Sequence, residues 1–295
     1  YAPDRSGQTD WQWERKYEVD SLCFPVDLAW QLWKATGRTD HFTDDVHKGL
    51  AGIVKIWRLE QHHEEQSGYR FERDTTRPTE TLARGGLGTP VAYTGMTWSG
   101  FRCSDDACTY GYNIPANMYA AVVLGYMAEI ADMVWHDKAL SAEAAALGKE
   151  IRDGIEKYGT VDDSEFGRMD AGVPGLLSAP YYGYCDKTDP VYRSTRRFSL
   201  SPRNPFFYTG KALSGLGSPH SKPDFVWPMG IIMQGFTVQP EENLCAILDM
   251  VAHAGDGTGY VHESVHKDDP SRYTRPWFAW VNSLYSELLI KTFVK

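Results

Sequence analysis

Two short segments carry the residue types that could do chemistry. Trp98-Ser99-Gly100-Phe101-Arg102-Cys103-Ser104-Asp105-Asp106 sets two adjacent carboxylates beside an Arg and a Trp. Gly257-Thr258-Gly259-Tyr260-Val261-His262-Glu263-Ser264 sets a carboxylate between a His and a Ser, after a flexible glycine turn. Two carboxylates from distant loops are what glycoside hydrolysis needs, one as acid on the leaving oxygen and the other as base or nucleophile. Aromatic rings can meet the C–H faces of a sugar, while Asp, Glu, His and Arg can meet its hydroxyls. Blander readings stand beside these. Ser104-Asp105-Asp106 could cap a helix, and His262-Glu263 could be a surface turn. His62-His63-Glu64-Glu65 has metal-ligand residue types, but adjacent helix residues do not share a face, so it reads as a solvated helix end and no metal site is expected.

The elements that must position these loops are helices. Apolar residues at 22, 26, 29, 30 and 33 predict a helix from Asp20 to Trp33, and Thr43-Asp44-Asp45 caps a second that runs toward Glu60. Pro115 opens a third, with apolar residues at 118, 122, 123, 126, 127 and 130, and Ser141 opens a fourth toward Tyr158. Further helices are expected over Val173–Tyr182, Trp227–Gln234, Glu241–Ala252 and Arg275–Thr292, with strand signals scarce and short. No Gly, Ser or Pro linker splits residues 1–295, so the expectation is one all-α domain of sequential helical hairpins. Long structured loops on such a scaffold are where function sits.

Composition narrows the classes. The chain has 295 residues, 42% hydrophobic and 13% aromatic, which excludes disorder and low complexity. A formal net charge of -9 argues against nucleic acid as a partner, because neutralising phosphates needs clustered Lys and Arg. The longest apolar run, roughly Met118 to Ala128, falls short of the about 20 residues a bilayer span needs, so no membrane partner is expected. Tyr1-Ala2-Pro3-Asp4 has neither a basic nor an apolar leader character, so the chain reads as starting inside a longer protein or after processing. Five cysteines cannot all pair and show no zinc spacing; reduced thiols, and with them a cytoplasmic compartment, are the expectation. Oligomeric state leaves no trace in the sequence.

Several segments together resemble glycoside hydrolase family 125. They are Trp13-Glu14-Arg15-Lys16-Tyr17-Glu18-Val19-Asp20-Ser21-Leu22-Cys23, Gly95-Met96-Thr97-Trp98-Ser99-Gly100-Phe101-Arg102, Ser104-Asp105-Asp106-Ala107, Gly217-Ser218-Pro219-His220, Gly257-Thr258-Gly259-Tyr260-Val261-His262-Glu263 and Trp277-Phe278-Ala279-Trp280. The resemblance covers nearly the whole chain. It implies an (α/α)6 barrel and an inverting, metal-independent exo-α-1,6-mannosidase that needs no cofactor and acts on α-1,6-linked manno-oligosaccharides of N-glycan or high-mannose type. It also implies that Asp105 is the general acid and Glu263 the general base. Glu263 would deprotonate a water while Asp105 protonates the departing oxygen, with the two carboxyls about 6.5 to 9.5 Å apart. Asp105 is then expected to have a raised pKa, from burial and from Asp106 beside it. Arg102 is expected to hold Asp106 or a sugar hydroxyl. Trp98, Arg102, Asp106, Asp20, His220, Tyr260 and His262 are assigned to sugar binding.

The sequence departs from the family pattern in three places. An upstream segment with a Trp-Leu-Arg-Asp-like motif has no counterpart, so the first hairpins of the barrel and part of the -1 subsite are expected to be lacking. Cys103 stands where the family usually has Pro. The stretch from Phe166 to Met169 looks shorter than usual, and Met169-Asp170-Ala171-Gly172-Val173-Pro174 has one acid and a Gly where the family tends to have two acids and an Asn. Terpene cyclases share a helical barrel with acidic motifs, but the polar residues here do not suit a metal-diphosphate pocket. A non-catalytic mannoside-binding fragment and another helical-barrel glycosidase, such as a trehalase-like enzyme, remain as competing functions.

Overall fold

Asn113 and Pro115 start the helix around which the N-terminal half is organised. The Asn113 side chain accepts from Ala116 N and Pro115 occupies the first turn, where its missing N–H costs nothing. In this computed structural model, which describes residues 4–160 and 172–294, that helix is α5, Ile114–Met133. The chain divides into two compact units, Tyr1–Thr160 and Val161–Lys295.

In the first unit, α1 (Val19–Thr36) packs on α5, and α2 (Asp44–Glu60) packs on α6 (Lys138–Tyr158). Between α2 and α5 lie a single helical turn, α3 (His63–Gln66), a 3-10 turn at Pro78–Glu80, and the kinked turn α4 (Ala83–Gly86), in which Arg84 and Gly85 take left-handed φ of 56° and 64°. α5 and α6 form a helical hairpin across a short connection, with Asp137 accepting from Leu140 N to cap α6 three residues before the expected Ser141 start. Thr43 caps α2 as its sequence predicts, through Val46 N. α5 is long and apolar enough to span a bilayer, beyond what its central apolar run suggests. Most of its apolar stretch is buried inside this unit, Val123, Leu124, Met127 and Ile130 among it, as befits a core helix.

In the second unit, α7 (Pro190–Ser199) is followed by two small antiparallel sheets. β1 (Phe207–Thr209) pairs with β2 (Ser214–Leu216), and β3 (Phe225–Val226), β4 (Ser264–His266) and β5 (Asp269–Thr274) form a three-stranded sheet in that order. α8 (Pro228–Phe236) packs against α9 (Leu244–Ala254) and α10 (Ala279–Phe293), closing a core of Val226, Ile231, Met233, Val251, Val265 and Val281. Buried Arg196 of α7 forms a two-pronged pair with Glu242, Nη1 to Oε1 at 2.8 Å and Nη2 to Oε2 at 2.7 Å.

The architecture is helix-rich with a few small sheets, so the all-α expectation holds for the scaffold and misses the sheets. Val173–Tyr182 is not a helix: Pro174 follows a cis bond, and only Leu176–Ser178 makes a 3-10 turn, closed by Ser178 Oγ against Gly175. The sequence departures at Phe166–Met169 and at 170–171 lie outside the described residues.

Candidate active site

The loop carrying Asp105 is pinned at its base by α5. Thr97 N donates to Asn117 Oδ1 at 2.9 Å, and Asn117 Nδ2 returns a bond to Thr97 O at 3.0 Å. Further along, Gly100 N and Phe101 N both donate to Tyr17 O at 3.1 Å, and Val19 N donates to Ser99 Oγ at 3.4 Å. A loop serine therefore satisfies the first free N–H of α1, and the acid loop hangs directly on residues 17–19. Phe101 bridges Ala107, Arg102 N bonds Asp106 O at 2.9 Å and Asp105 N bonds Arg102 O at 2.8 Å, so residues 102–106 close a tight turn. Asp105 sits at its tip, exposed, with φ of 64°. Asp is one of the few residues that tolerates this left-handed conformation.

Ser104-Asp105-Asp106 thus builds a turn instead of capping a helix, and the burial expected of Asp105 falls on Asp106. Arg102 Nη2 and Ser104 Oγ reach Asp106 Oδ2 at 3.2 and 3.0 Å. Asp106 is one of the two partners expected for Arg102, and Arg102 holds it.

Trp98 requires a correction. Its ring is 1% exposed, stacked on His63 at 3.6 Å and parallel to Tyr17 at 5.9 Å between centroids. A Cβ on Gly111 would meet Trp98 Cδ1 at 2.7 Å, so the neighbouring loop closes over the indole only because that residue is Gly. Trp98 supports the acid loop from beneath and offers no face to a sugar within this unit. The solvated helix end read at His62-His63-Glu64-Glu65 also needs correcting. His63 is buried, with Nδ1 2.6 Å from Glu60 Oε2 and Nε2 2.8 Å from Leu87 O, and Glu64 pairs with Arg84.

Asp20, in the first turn of α1, is 3% exposed. Burial raises its pKa to about 7, with the charge of Asp105 adding to the effect and a backbone hydrogen bond opposing it.

The second unit holds its loop in the same manner. Val261 N donates to Asn282 Oδ1 at 3.0 Å and Asn282 Nδ2 donates to Val261 O at 2.8 Å, so an asparagine of α10 grips the peptide two residues before Glu263. Gly257 and Gly259, at φ of 71° and 79°, make the turn that leads there. Glu263 is mostly buried: Thr274 Oγ1 donates to Oε2 at 3.1 Å, and Arg275 Nε lies 3.1 Å from Oε1. Arg275 itself has φ of 46°, and its guanidinium also lies over Phe278. His262 is fully buried, stacked on Tyr273 at 3.7 Å, with Nδ1 2.7 Å from Pro276 O; its Nε2 has no partner. Pro276 O can only accept, so Nδ1 carries a proton and donates to it. Tyr260 is 52% exposed, open enough to serve as a platform. His220 sits in the turn at Ser218–Ser221, edge-on to Trp227, whose Nε1 donates to Ser221 Oγ at 3.0 Å.

Within the first unit the structure gathers Asp20, Arg102, Asp105 and Asp106, and within the second it gathers His262 and Glu263 on one strand-entry loop. Asn117, Asn282, Thr274 and Arg275 were not singled out by sequence. The only signal for the two asparagines is position: one in each helix that follows or flanks a candidate loop, buried at 117 and half-buried at 282. Among the described residues, no group of three or more His, Cys, Asp or Glu side chains could hold a metal ion.

A family model described as metal-independent alpha-mannosidase (GH125) matches residues 3–290. The chain belongs to that family of glycoside hydrolases. It is 36% identical, over 94% of its length, to the meiotically up-regulated gene 157 protein of Schizosaccharomyces pombe, and spans 59% of that protein. It is also similar to a metal-independent alpha-mannosidase of Streptococcus pneumoniae, solved as a non-productive substrate complex with alpha-1,6-mannobiose. That likeness has 43% identity and a TM-score of 0.94, covering 98% of this chain and 71% of the other. The family assignment made from the sequence segments therefore stands.

Proposed function

We propose that the chain is an inverting exo-α-1,6-mannosidase on an (α/α)6 barrel, releasing terminal mannose from α-1,6-linked mannosides of N-glycan type. Asp105 is the general acid. Its exposed carboxyl at the tip of a pinned turn is suited to give a proton to the glycosidic oxygen as the C1–O bond breaks. Glu263 is the general base, held by Thr274 and Arg275 so that one carboxylate oxygen can take a proton from the attacking water. The water oxygen bonds to C1 on the face opposite the leaving group, so the first product is β-mannose. Asp20, Arg102, Asp106, His220, Tyr260 and His262 bind sugar hydroxyls and ring faces; Trp98 acts beneath the loop.

The observation that carries this reading is the likeness, over 98% of the chain, to an alpha-mannosidase bound to alpha-1,6-mannobiose. Asp105 and Glu263 each lie on a loop tied down by a helix-borne asparagine, which supports giving them these two roles. Incubation with α-1,6-, α-1,3- and α-1,2-linked mannobiose, read as free mannose, tests it. Cleavage of the 1,6 linkage in preference to the others is expected; equal cleavage of all three, or of none, would overturn the specificity.

A further inference from the structure

The N-terminus of α1 holds a carboxylate that the proposed mechanism does not use. Glu18 is the residue before α1, and its side chain does not cap the helix; Ser21 Oγ donates instead to Glu18 Oε2 at 2.9 Å. Because Tyr17 O accepts from both Gly100 N and Phe101 N, Glu18 lies between the acid loop and the first turn of α1. Two oxygens there are buried with no hydrogen-bond partner: Glu18 Oε1 and Asp20 Oδ1. A buried polar atom left unpaired is costly, and these two belong to carboxyls that both feel the charge of Asp105, with Glu18 also feeling that of Asp20, so together they offer a ligand atom two free contacts beside the candidate general acid.

We propose that Glu18 is a sugar ligand of this site, paired with Asp20 around one substrate hydroxyl beside Asp105. The inference rests on the mannosidase reading and adds to it a residue that reading does not contain. Glu18 supplies the donor and Asp20 the acceptor. A hydroxyl has one proton to give and lone pairs to offer, so one neutral carboxylic acid and one carboxylate satisfy it fully, whereas two carboxylates leave one of them repelled. The electrostatics suit this division. Burial pushes the Glu18 carboxyl up to about 9, the charges of Asp20 and Asp105 add to this, and the Ser21 hydrogen bond and Lys16 oppose it. Lys16 is itself drawn off toward Glu14 and Glu80. The remaining titratable groups facing the pair are Tyr69, which feels Glu18, and Cys23, which feels Asp20. Asp20, raised only to about 7, ionises first.

The test is calorimetric binding of thio-linked α-1,6-mannobiose, whose sulfur bridge resists hydrolysis, to the full chain and two variants. Glu18→Ala should weaken binding about tenfold, the size of one lost hydrogen bond at a buried polar site. Glu18→Gln keeps an N–H donor and should recover most of that loss. The wild-type affinity should fall as pH rises through about 9 and the Gln variant should not show that fall. Circular dichroism confirms that the Ala variant is folded. Wild-type affinity in a folded Ala variant would overturn the proposal, as would a Gln variant as weak as Ala. A chain that binds and cleaves mannobiose with Glu18 indifferent refutes this inference alone; a wild-type chain that binds no mannoside refutes the mannosidase reading and this contact with it.

Discussion

Replacing Glu18 by Gln should flatten the decline in stability that the wild-type chain shows toward alkaline pH. In the unfolded chain Glu18 loses its proton near 4.5, and in the folded chain the buried carboxyl keeps it up to about 9. A group whose pKa is raised by folding contributes stability that is fully present below the unfolded value and is lost as pH rises through the folded one. The slope is about 1.4 kcal/mol per pH unit for each proton held by the folded state alone. Asp20 adds a second such proton, but only up to about 7. Because the two carboxyls interact, the slopes belong to the pair. From about pH 5.5 to about pH 8.5 a fully occluded Glu18 would cost about 4 kcal/mol, and solvent reaching the outer part of its side chain reduces this to about 2 kcal/mol. That is a large share of the roughly 5–15 kcal/mol stability of a typical domain. Urea unfolding of both proteins, followed by tryptophan fluorescence across this pH series, reads the effect as a difference in which titrating groups remote from Glu18 and Asp20 cancel. The stability of the Gln variant relative to wild type should climb steadily with pH. Parallel profiles, with a difference that is constant in pH, would refute the claim that Glu18 stays protonated in the folded chain.

Asp105→Asn and Glu263→Gln should each lower kcat about 10²- to 10⁴-fold while leaving the circular dichroism spectrum unchanged. Asn is the clean probe at position 105 because it also tolerates φ of 64°; near-wild-type turnover in either variant would reject the assigned role. Trp98→Ala should destabilise the chain by about 3–5 kcal/mol, since it removes a ring that is fully enclosed between His63 and Tyr17. A urea midpoint within error of wild type would contradict the supporting role. EDTA should leave the rate unchanged, in keeping with a family described as metal-independent; a loss reversed by a divalent ion would contradict that.

The helices were legible where the sequence spells out their ends. Thr43 before α2 and Asn113-Ile114-Pro115 before α5 satisfy backbone donors locally, and local chemistry can be read in one dimension. Val173–Tyr182 misled because its apolar spacing suits a helix while Pro174 and two nearby glycines favour turns. The two candidate loops were picked out by residue type, since carboxylates beside glycine turns are conspicuous. What the loops rest on was hidden. Trp98 beside Gly100 reads equally well as a platform or as a buried support, and only the closure of Gly111 over its ring decides. Asn117 and Asn282 act on peptides about twenty residues away in sequence, so nothing in their own neighbourhoods announces them. Glu18 passed unnoticed for a related reason: its burial arises from the loop at Gly100 and Phe101 that docks on Tyr17.

The central claim is the inverting cleavage of an α-1,6-mannoside by this chain. Proton NMR of the chain acting on α-1,6-mannobiose in the presence of chelator tests it most directly, by following the anomeric signals before mutarotation mixes them. β-Mannose should appear first and α-mannose only later. Early α-mannose would contradict the single displacement by Asp105 and Glu263, and no mannose at all would contradict the activity.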